Sequence, residues 1–273
     1  MCRAYGVSRA GFYAWHARGL SARAESDAVM TKHVARAFRR AHGLYGSPRV
    51  TRQLHLNGIG VGRRRVARLM RLALLQGRCA RLYRRSRVSQ KAFYRSLPNT
   101  QRLVSATAPN QIWVADVTYV RVSGRWRYLA AVMDRYSRRI LGWSLSRKRD
   151  AALTTRALGH ALKRRRPPRG VYFHSDRGIE YAAHHLRRSL TRHGLLQSMN
   201  RPGKMNDNAH MESFFHSLKT ERLFGMTFHS DRALRSEILR YVGFYNRDRL
   251  HSSLHYLPPA VFERRLPNIH AVN

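Results

Sequence analysis

Asp116 stands inside the apolar run Ile112-Trp113-Val114-Ala115-Asp116-Val117-Thr118-Tyr119-Val120. A carboxylate in a buried strand is costly unless it binds a partner. Asp176 follows a second buried-looking run, residues 171–174, after Ser175. Glu212 flanks the helical stripe of Met211, Phe214, Phe215 and Leu218, turned by about 100° from it. Each acid alone has an ordinary explanation. Asp116 could pair with an arginine, Asp176 could shape a turn beside Gly178, and Glu212 could pair with His216 or Lys219. Brought together, three carboxylates would repel one another and raise each other's pKa. Two Mg²⁺ (or Mn²⁺) ions would remove that repulsion, because hard oxygen ligands suit them. Such a pair of ions supports in-line phosphoryl displacement by a water or a 3′-hydroxyl.

The elements that must position these acids are legible in outline. Strands are expected over 112–120, 126–133 and 140–145, joined by turns short enough to make them antiparallel neighbours. Asp150 should cap a helix running to about Lys163, with Leu153, Ala157, Leu158 and Ala161 inward. A fourth strand over 171–174, a helix over about 182–193 and a short fifth strand over 195–198 come next. A long helix should start near Asp207. Three strands, helix, strand, helix, strand, helix is an α/β plan: a mixed five-stranded sheet with helices on both faces. It resembles the ribonuclease-H-like fold, in which the first and fourth strands are neighbours, so that Asp116 and Asp176 can converge.

Ahead of this core lies a small all-α module. Residues 1–24 read as a helical fragment that Ser8 could cap, with Phe12, Ala14 and Trp15. Residues 25–75 read as helices carrying Val29, Val34, Ala37 and Phe38, then Val50 and Leu54, then Val66, Leu69, Met70 and Ala73. Ser47-Pro48 should start the second of these, and 57–62 breaks it. The third has a basic side, with Arg63, Arg64, Arg65, Arg68 and Arg71. The pattern fits a helix-turn-helix and a generic bundle equally; net charge favours DNA contact. Residues 76–105 are a basic linker without periodicity, and 106–273 hold the core and a helical C-terminal extension.

The chain has 53 Lys and Arg against 14 Asp and Glu, a formal charge of +39. Such a chain repels itself unless a polyanion is present, and nucleic acid is the natural partner. Cys2 and Cys79 build neither a disulfide framework nor a Cys-rich zinc site. No stretch has the ~18 apolar residues of a membrane helix, and the N-terminus has no apolar run for a signal peptide. A cytoplasmic protein at the nucleoid is expected.

The spacing and the flanking motifs resemble a known family. Asp116, Asp176 and Glu212, with 35 residues between the last two, resemble the DD(35)E pattern of retroviral integrases and related transposases. HSDRG at 174–178, DNAHMESFFHSLKTE at 207–221 and YNRDRLHSSLHYLPPAVF at 245–262 look like the OrfB transposases of insertion-sequence family three. HGLYGSPRV and NGIGVGRRRVARLM, within 42–70, resemble that family's helix-turn-helix, and GVSRAGFYAW at 6–15 its N-terminal stretch.

The resemblance implies an integrase-type catalytic core with Asp116, Asp176 and Glu212 as metal ligands. It implies strand cleavage and strand transfer at the terminal inverted repeats of a mobile element, and joining to target DNA. Lys219 resembles the basic residue that approaches DNA near the cut, and Asn208 a position that shapes the site. Arg177 lies in the HSDRG stretch, and Lys204 in the loop before the catalytic helix, where a basic side chain can reach DNA. Asn246, Arg249 and His251 match the C-terminal motif, which contacts DNA or braces the catalytic helix. Arg63, Arg64, Arg65 and Arg68 are the expected DNA contacts of the front module. A homo-oligomer on DNA is implied, as is the product of an upstream reading frame, as a separate partner or a frameshift fusion. The sequence departs from the family at Ile179-Glu180, where Glu180 adds a negative charge near the site. A non-catalytic DNA-binding relic or repressor of the element is the alternative. A ribonuclease H of the same fold is disfavoured by the helical module and the C-terminal motif.

Overall fold

The computed structural model describes residues 2, 4–17, 21–78, 105–200 and 208–266. They belong to two compact units, residues 1–82 and 83–273. Most of the expected basic linker, and Lys204, lie outside the described residues.

The first unit is all-α: α1 (Arg9–Ala17), α2 (Ala22–Arg40), α3 (Ser47–Leu56) and α4 (Arg63–Leu72). Ser8 caps α1 through its Oγ, which accepts from Gly11 N–H at 3.0 Å, and no residue of α1 is buried. α2, α3 and α4 bury Val34, Ala37, Val50, Leu54, Val66, Leu69 and Met70. Val29, expected inward, is 57% exposed. It lies five residues before Val34 and so about 140° round the helix from it. Ser47 is the first helical residue rather than the cap; Gly46 holds the cap position, and Pro48 sits in the first turn, where its missing N–H costs nothing.

The second unit holds β1 (Ile112–Val122), β2 (Arg125–Asp134), β3 (Ile140–Ser146), α5 (Ala151–Arg165), β4 (Tyr172–Ser175), α6 (Ile179–Ala182), α7 (His184–Arg192), β5 (Leu196–Met199), α8 (Ala209–Leu218), α9 (Asp231–Arg247) and α10 (Pro259–Arg264). The sheet order is β3-β2-β1-β4-β5. β1 is antiparallel to β2 and parallel to β4, so the expected adjacency of first and fourth strands holds. Alternation along β1 splits the core. Ile112 and Val114 join Met211, Phe214, Phe215 and Leu218 of α8 and several residues of α9. Trp113 and Ala115 join Leu153, Ala157 and Ala161 of α5 and Leu186 and Leu190 of α7. A period-two strand between two apolar layers produces this division.

Two expected helices differ. The one expected over 182–193 is interrupted at Ala183, which is extended (φ −64°, ψ 138°). Tyr181 and Leu186 would point about 140° apart on one continuous helix; the break buries both in the same cluster. The helix expected from Asp207 is described from Ala209 and ends as an α-helix at Leu218, widening into a π-helical turn over Lys219–Leu223. Asp207 lies outside the described residues.

Close packing of α5 on the sheet requires Gly142 in β3. A Cβ there would lie 2.3 Å from the Ala157 carbonyl oxygen and 2.5 Å from Ala161 N. These are backbone atoms on a helix and cannot swing aside, so Gly142→Ala is expected to destabilise the fold by about 1–3 kcal/mol, the usual range for overpacking. Urea denaturation of both proteins checks this, and an unchanged midpoint would refute the tight contact.

Candidate functional site

The β1–β4 register sets the position of two of the acids. Val114 pairs with His174. Two residues further along each chain come Asp116 and Asp176, where adjacent strands lie about 4.8 Å apart. Asp116 shares its face of β1 with Val114, the face that α8 covers. Glu212 belongs to the first turn of α8 and is exposed. Parallel pairing thus brings the aspartates side by side, and the helix over the same face carries the glutamate.

The electrostatics reflect this crowding. Burial first, and the charge of Asp176 second, raise the Asp116 pKa to about 8; Glu212 adds to the rise, and the Val117 N–H, 2.7 Å from Oδ1, opposes it. Asp176 is raised by burial and by Glu180, against a 3.0 Å bond from Gly178 N–H and the charge of Arg149. Burial raises Glu212 as well. Among the described residues, no group of three His, Cys, Asp or Glu stands close enough to grip one metal ion. The acids are therefore near neighbours that feel one another's charge without forming a closed ligand set. As donors, the three offer hard carboxylate oxygens, which fit Mg²⁺ or Mn²⁺ rather than a thiol- or imidazole-seeking metal.

Most acids elsewhere among the described residues are spoken for. Asp27, Glu180, Glu221, Asp231, Glu237 and Glu263 each hold one or two arginines. Asp150 caps α5, accepting from Leu153 N–H, and Asp134 accepts from the N–H groups of Asn110, Tyr136 and Ser137. Among the described residues, Asp116 and Glu212 have no such cation, and Asp176 has only Arg149 at 3.9 Å.

Arg149 is the residue that sequence reasoning missed. It precedes the Asp150 cap, and its guanidinium bonds Glu180 at 2.7 Å while its charge reaches Asp176 and Asp116. One arginine among so many basic residues carries no sequence signal. Glu180, expected to add free charge to the site, is 2% exposed and answered by Arg149. Gly178 makes room for it, since a Cβ there would meet the Glu180 carboxylate at 2.6 Å. His210, on α8, is lowered to about 4 by burial and then by Arg138 and Arg135, so it is neutral at physiological pH.

Several expected DNA contacts are internal instead. Asn208 is 3% exposed; its Nδ2 donates to the Ala115 carbonyl at 3.0 Å, tying the start of α8 to β1 beside Asp116. Its Oδ1 has no partner among the described residues. Asn246 is 7% exposed and bonds both the N–H and the carbonyl of Ile140. Arg249, 6% exposed, bonds both Glu221 oxygens and Ser217 Oγ, and Tyr241 donates to the same carboxylate. His251 is buried with its ring against Tyr245. Burial with satisfied polar groups places the side chains of Asn246, Arg249 and His251 inside the protein. Arg177 is half-buried and its Nε donates to the Asn200 carbonyl, joining the ends of β4 and β5. Lys219 is half-buried: its Nζ lies 4.8 Å from the Tyr119 ring centroid, burial lowers its pKa, and Asp116 opposes that.

In the first unit, Arg65 and Arg68 both bond Asp27, pinning α4 to α2. Arg63 and Arg64 are exposed. Arg23, Ser26, Arg64, Arg65 and Arg68 line a concavity of about 460 Å³, rich in guanidinium groups.

The charges make two outcomes measurable. Removing Arg149 leaves Glu180 buried and unanswered. Arg149→Ala is expected to cost about 1–3 kcal/mol, at the lower end because Arg149 is itself 39% exposed and water can enter. Adding Glu180→Gln should recover most of that loss in urea denaturation; a double variant no better than the single one would break the coupling. For Asp116, the folded-state pKa of about 8 lies above the ordinary carboxylate value. Its charge therefore costs stability that is absent below about pH 4 and grows until pH passes about 8. In chelator, Asp116→Asn should raise Tm by a few degrees at pH 8 and not at pH 4. A gain equal at both pH values would exclude the carboxylate charge as its source.

Residues 106–205 and 193–259 match models of the Integrase core domain, and residues 24–83 the HTH-like domain. The chain is 39% identical over 270 residues to the insertion element IS600 uncharacterized 31 kDa protein of Shigella sonnei, with 97% of this chain and 98% of that one covered. It is 39% identical over 272 residues to transposase InsF for insertion sequence IS3A of Escherichia coli K12, covering 97% and 93%. In fold it is similar to a chain of the simian T-cell lymphotropic virus intasome in complex with PP2A regulatory subunit B56 gamma, at a TM-score of 0.50 and 17% identity, covering 88% of this chain and 78% of that one. With a helix-turn-helix-like module ahead of an integrase core and this identity along nearly its whole length, the chain belongs to the IS3 family of insertion-sequence transposases.

Proposed function

We propose that this transposase cuts DNA at the ends of its insertion sequence and joins the resulting 3′-hydroxyl to another strand, with Asp116, Asp176 and Glu212 as the carboxylates of a divalent-metal site. The observation that carries the reading is the parallel β1–β4 register, which aligns Asp116 with Asp176 on the sheet face covered by the helix of Glu212. Asp116, Asp176 and Glu212 would hold Mg²⁺ or Mn²⁺, two ions, which supply Lewis acidity at the phosphate and a nucleophile available at neutral pH.

The protein's own contribution is placement and charge. The bond from Asn208 to Ala115 ties the start of α8 to β1 beside Asp116. Met211, Phe214 and Phe215 pack α8 onto the face of β1 that carries Asp116. Arg149 neutralises Glu180, so that the negative charge of the centre rests on the three ligands. Lys219 brings a second cation beside Asp116, adding to the charge of Arg149. Arg63 and the arginine-lined concavity of the first unit suit the phosphates of the element end. Terminal inverted repeats and target DNA are the partners on this reading, handled by a homo-oligomer with or without the upstream-frame protein. Its place of action is the bacterial cytoplasm, at the nucleoid.

Cleavage of supercoiled plasmid, or of oligonucleotides carrying the element ends, tests the reading with Mg²⁺ present. Asp116→Asn and Glu212→Gln should each lower the rate by on the order of 10²–10³-fold or more, as expected when charge stabilisation at the reacting phosphate is lost. Variants as active as the wild type would remove these carboxylates from the chemistry.

A further inference from the structure

Beyond Asp116, β1 carries an exposed aromatic feature that the phosphoryl-transfer chemistry leaves unused. Tyr119 is 55% exposed and Trp126, across the β1–β2 hairpin, is 44% exposed. Their rings meet edge to face, with centroids 4.9 Å apart and planes at 82°. A cation flanks each ring. Lys219 Nζ is 4.8 Å from the Tyr119 centroid, and the Arg121 guanidinium carbon is 4.5 Å from that of Trp126. Cation, ring, ring, cation form a row at the surface.

Cross-strand aromatic pairs ordinarily stabilise hairpins. That role does not require half the ring surface to stay in water, nor a lysine whose charge also bears on Asp116. β1 pairs with β4 only as far as Val114, which leaves that edge of β1 open to the Lys219 side chain. Tyr119 lies three residues beyond Asp116, about 10 Å along the strand and on its opposite face, with Lys219 at the open edge between them, its Nζ near the Tyr119 ring and its charge on Asp116. That is within reach of the nucleotides next to a phosphate held at the carboxylates. Exposed aromatic rings beside cations are how proteins hold unpaired strands, the rings taking bases and the cations taking phosphates. A base inside a duplex is already stacked on both sides and offers neither ring a face.

We propose that Tyr119 and Trp126, flanked by Lys219 and Arg121, are a stacking platform for an unpaired nucleotide of the DNA strand held at Asp116. The platform rests on the reading of the site as a DNA strand transferase, and it adds that DNA at the site is locally unpaired. It gives the protein a preference for frayed or tailed ends that is independent of base identity, because every base has a π face.

The test uses the full chain, in chelator to prevent cleavage, and two probes of one sequence. One is a blunt duplex; the other has a short unpaired tail containing 2-aminopurine, whose fluorescence falls on stacking. Binding is read by anisotropy and stacking by the 2-aminopurine signal. The wild type should bind the tailed probe more tightly and quench it. Tyr119→Leu with Trp126→Leu should weaken tailed binding about tenfold or more and abolish quenching, while blunt binding stays within about twofold. Tyr119→Phe, which keeps the ring, should behave as the wild type. Equal losses on both probes, or no loss on either, would overturn the platform. So would loss of self-association without loss of quenching, which would make the rings a contact between copies. If the wild type cleaves DNA but the variants bind as it does, the platform alone fails. If the wild type binds neither probe, the strand-transferase reading fails with it.

Discussion

Three residue pairs between β1 and β4, ending in Val114 with His174, set the position of the proposed metal site. Parallel neighbours run to the same level, so the residues just past the paired stretch are delivered to one spot. Here those residues are Asp116 and Asp176. The placement costs stability, since both acids have raised pKa values from burial and from neighbouring acids. On the proposed reading, divalent cations would relieve this repulsion.

The rest of the molecule is arranged so that this discomfort is confined. With 14 acids among 53 basic residues, each carboxylate is a scarce counterion. Most are used as internal braces. Glu221 anchors Arg249 and Tyr241 under the end of the catalytic helix, Glu263 gathers Arg139 and Arg165, and Asp27 fixes α4 to α2. Glu180 shows how far this extends: a buried acid four residues from Asp176 is neutralised by Arg149 instead of competing for a cation. The arginines left at the surface then face a polyanion, and the strongly positive chain becomes a reader of DNA. A transposase needs both conditions, a few acids held apart from arginine and many arginines held apart from acid.

The same economy explains the C-terminal motif. Asn246, Arg249 and His251 are polar and look like recognition residues, yet each is buried. Asn246 bonds both polar groups of the Ile140 backbone, and Arg249 closes on Glu221 within the π-helical turn after α8. Asn246 ties α9 to β3, and Arg249 ties the segment after α9 to Ser217 of α8 and to Glu221 of the turn that follows it.

The sequence by itself determined the elements and the sites of chemical tension. Period-two runs marked the strands, Asp150 and Ser8 marked helix starts, and an acid inside an apolar run marked Asp116. These are local properties, written in spacing and side-chain type. Only the tertiary structure decided which polar residues face inward. Val29 lies on the wrong side of its helix, Ala183 breaks a helix so that Tyr181 and Leu186 can share one core, and Asn208, Asn246 and Arg249 point into the protein. Arg149 could not be singled out at all, because a guanidinium acquires its role from the carboxylate it meets, and Glu180 is far from it in sequence. Pairing between distant residues depends on how helices and strands stack, and a single chain read in order carries no record of that.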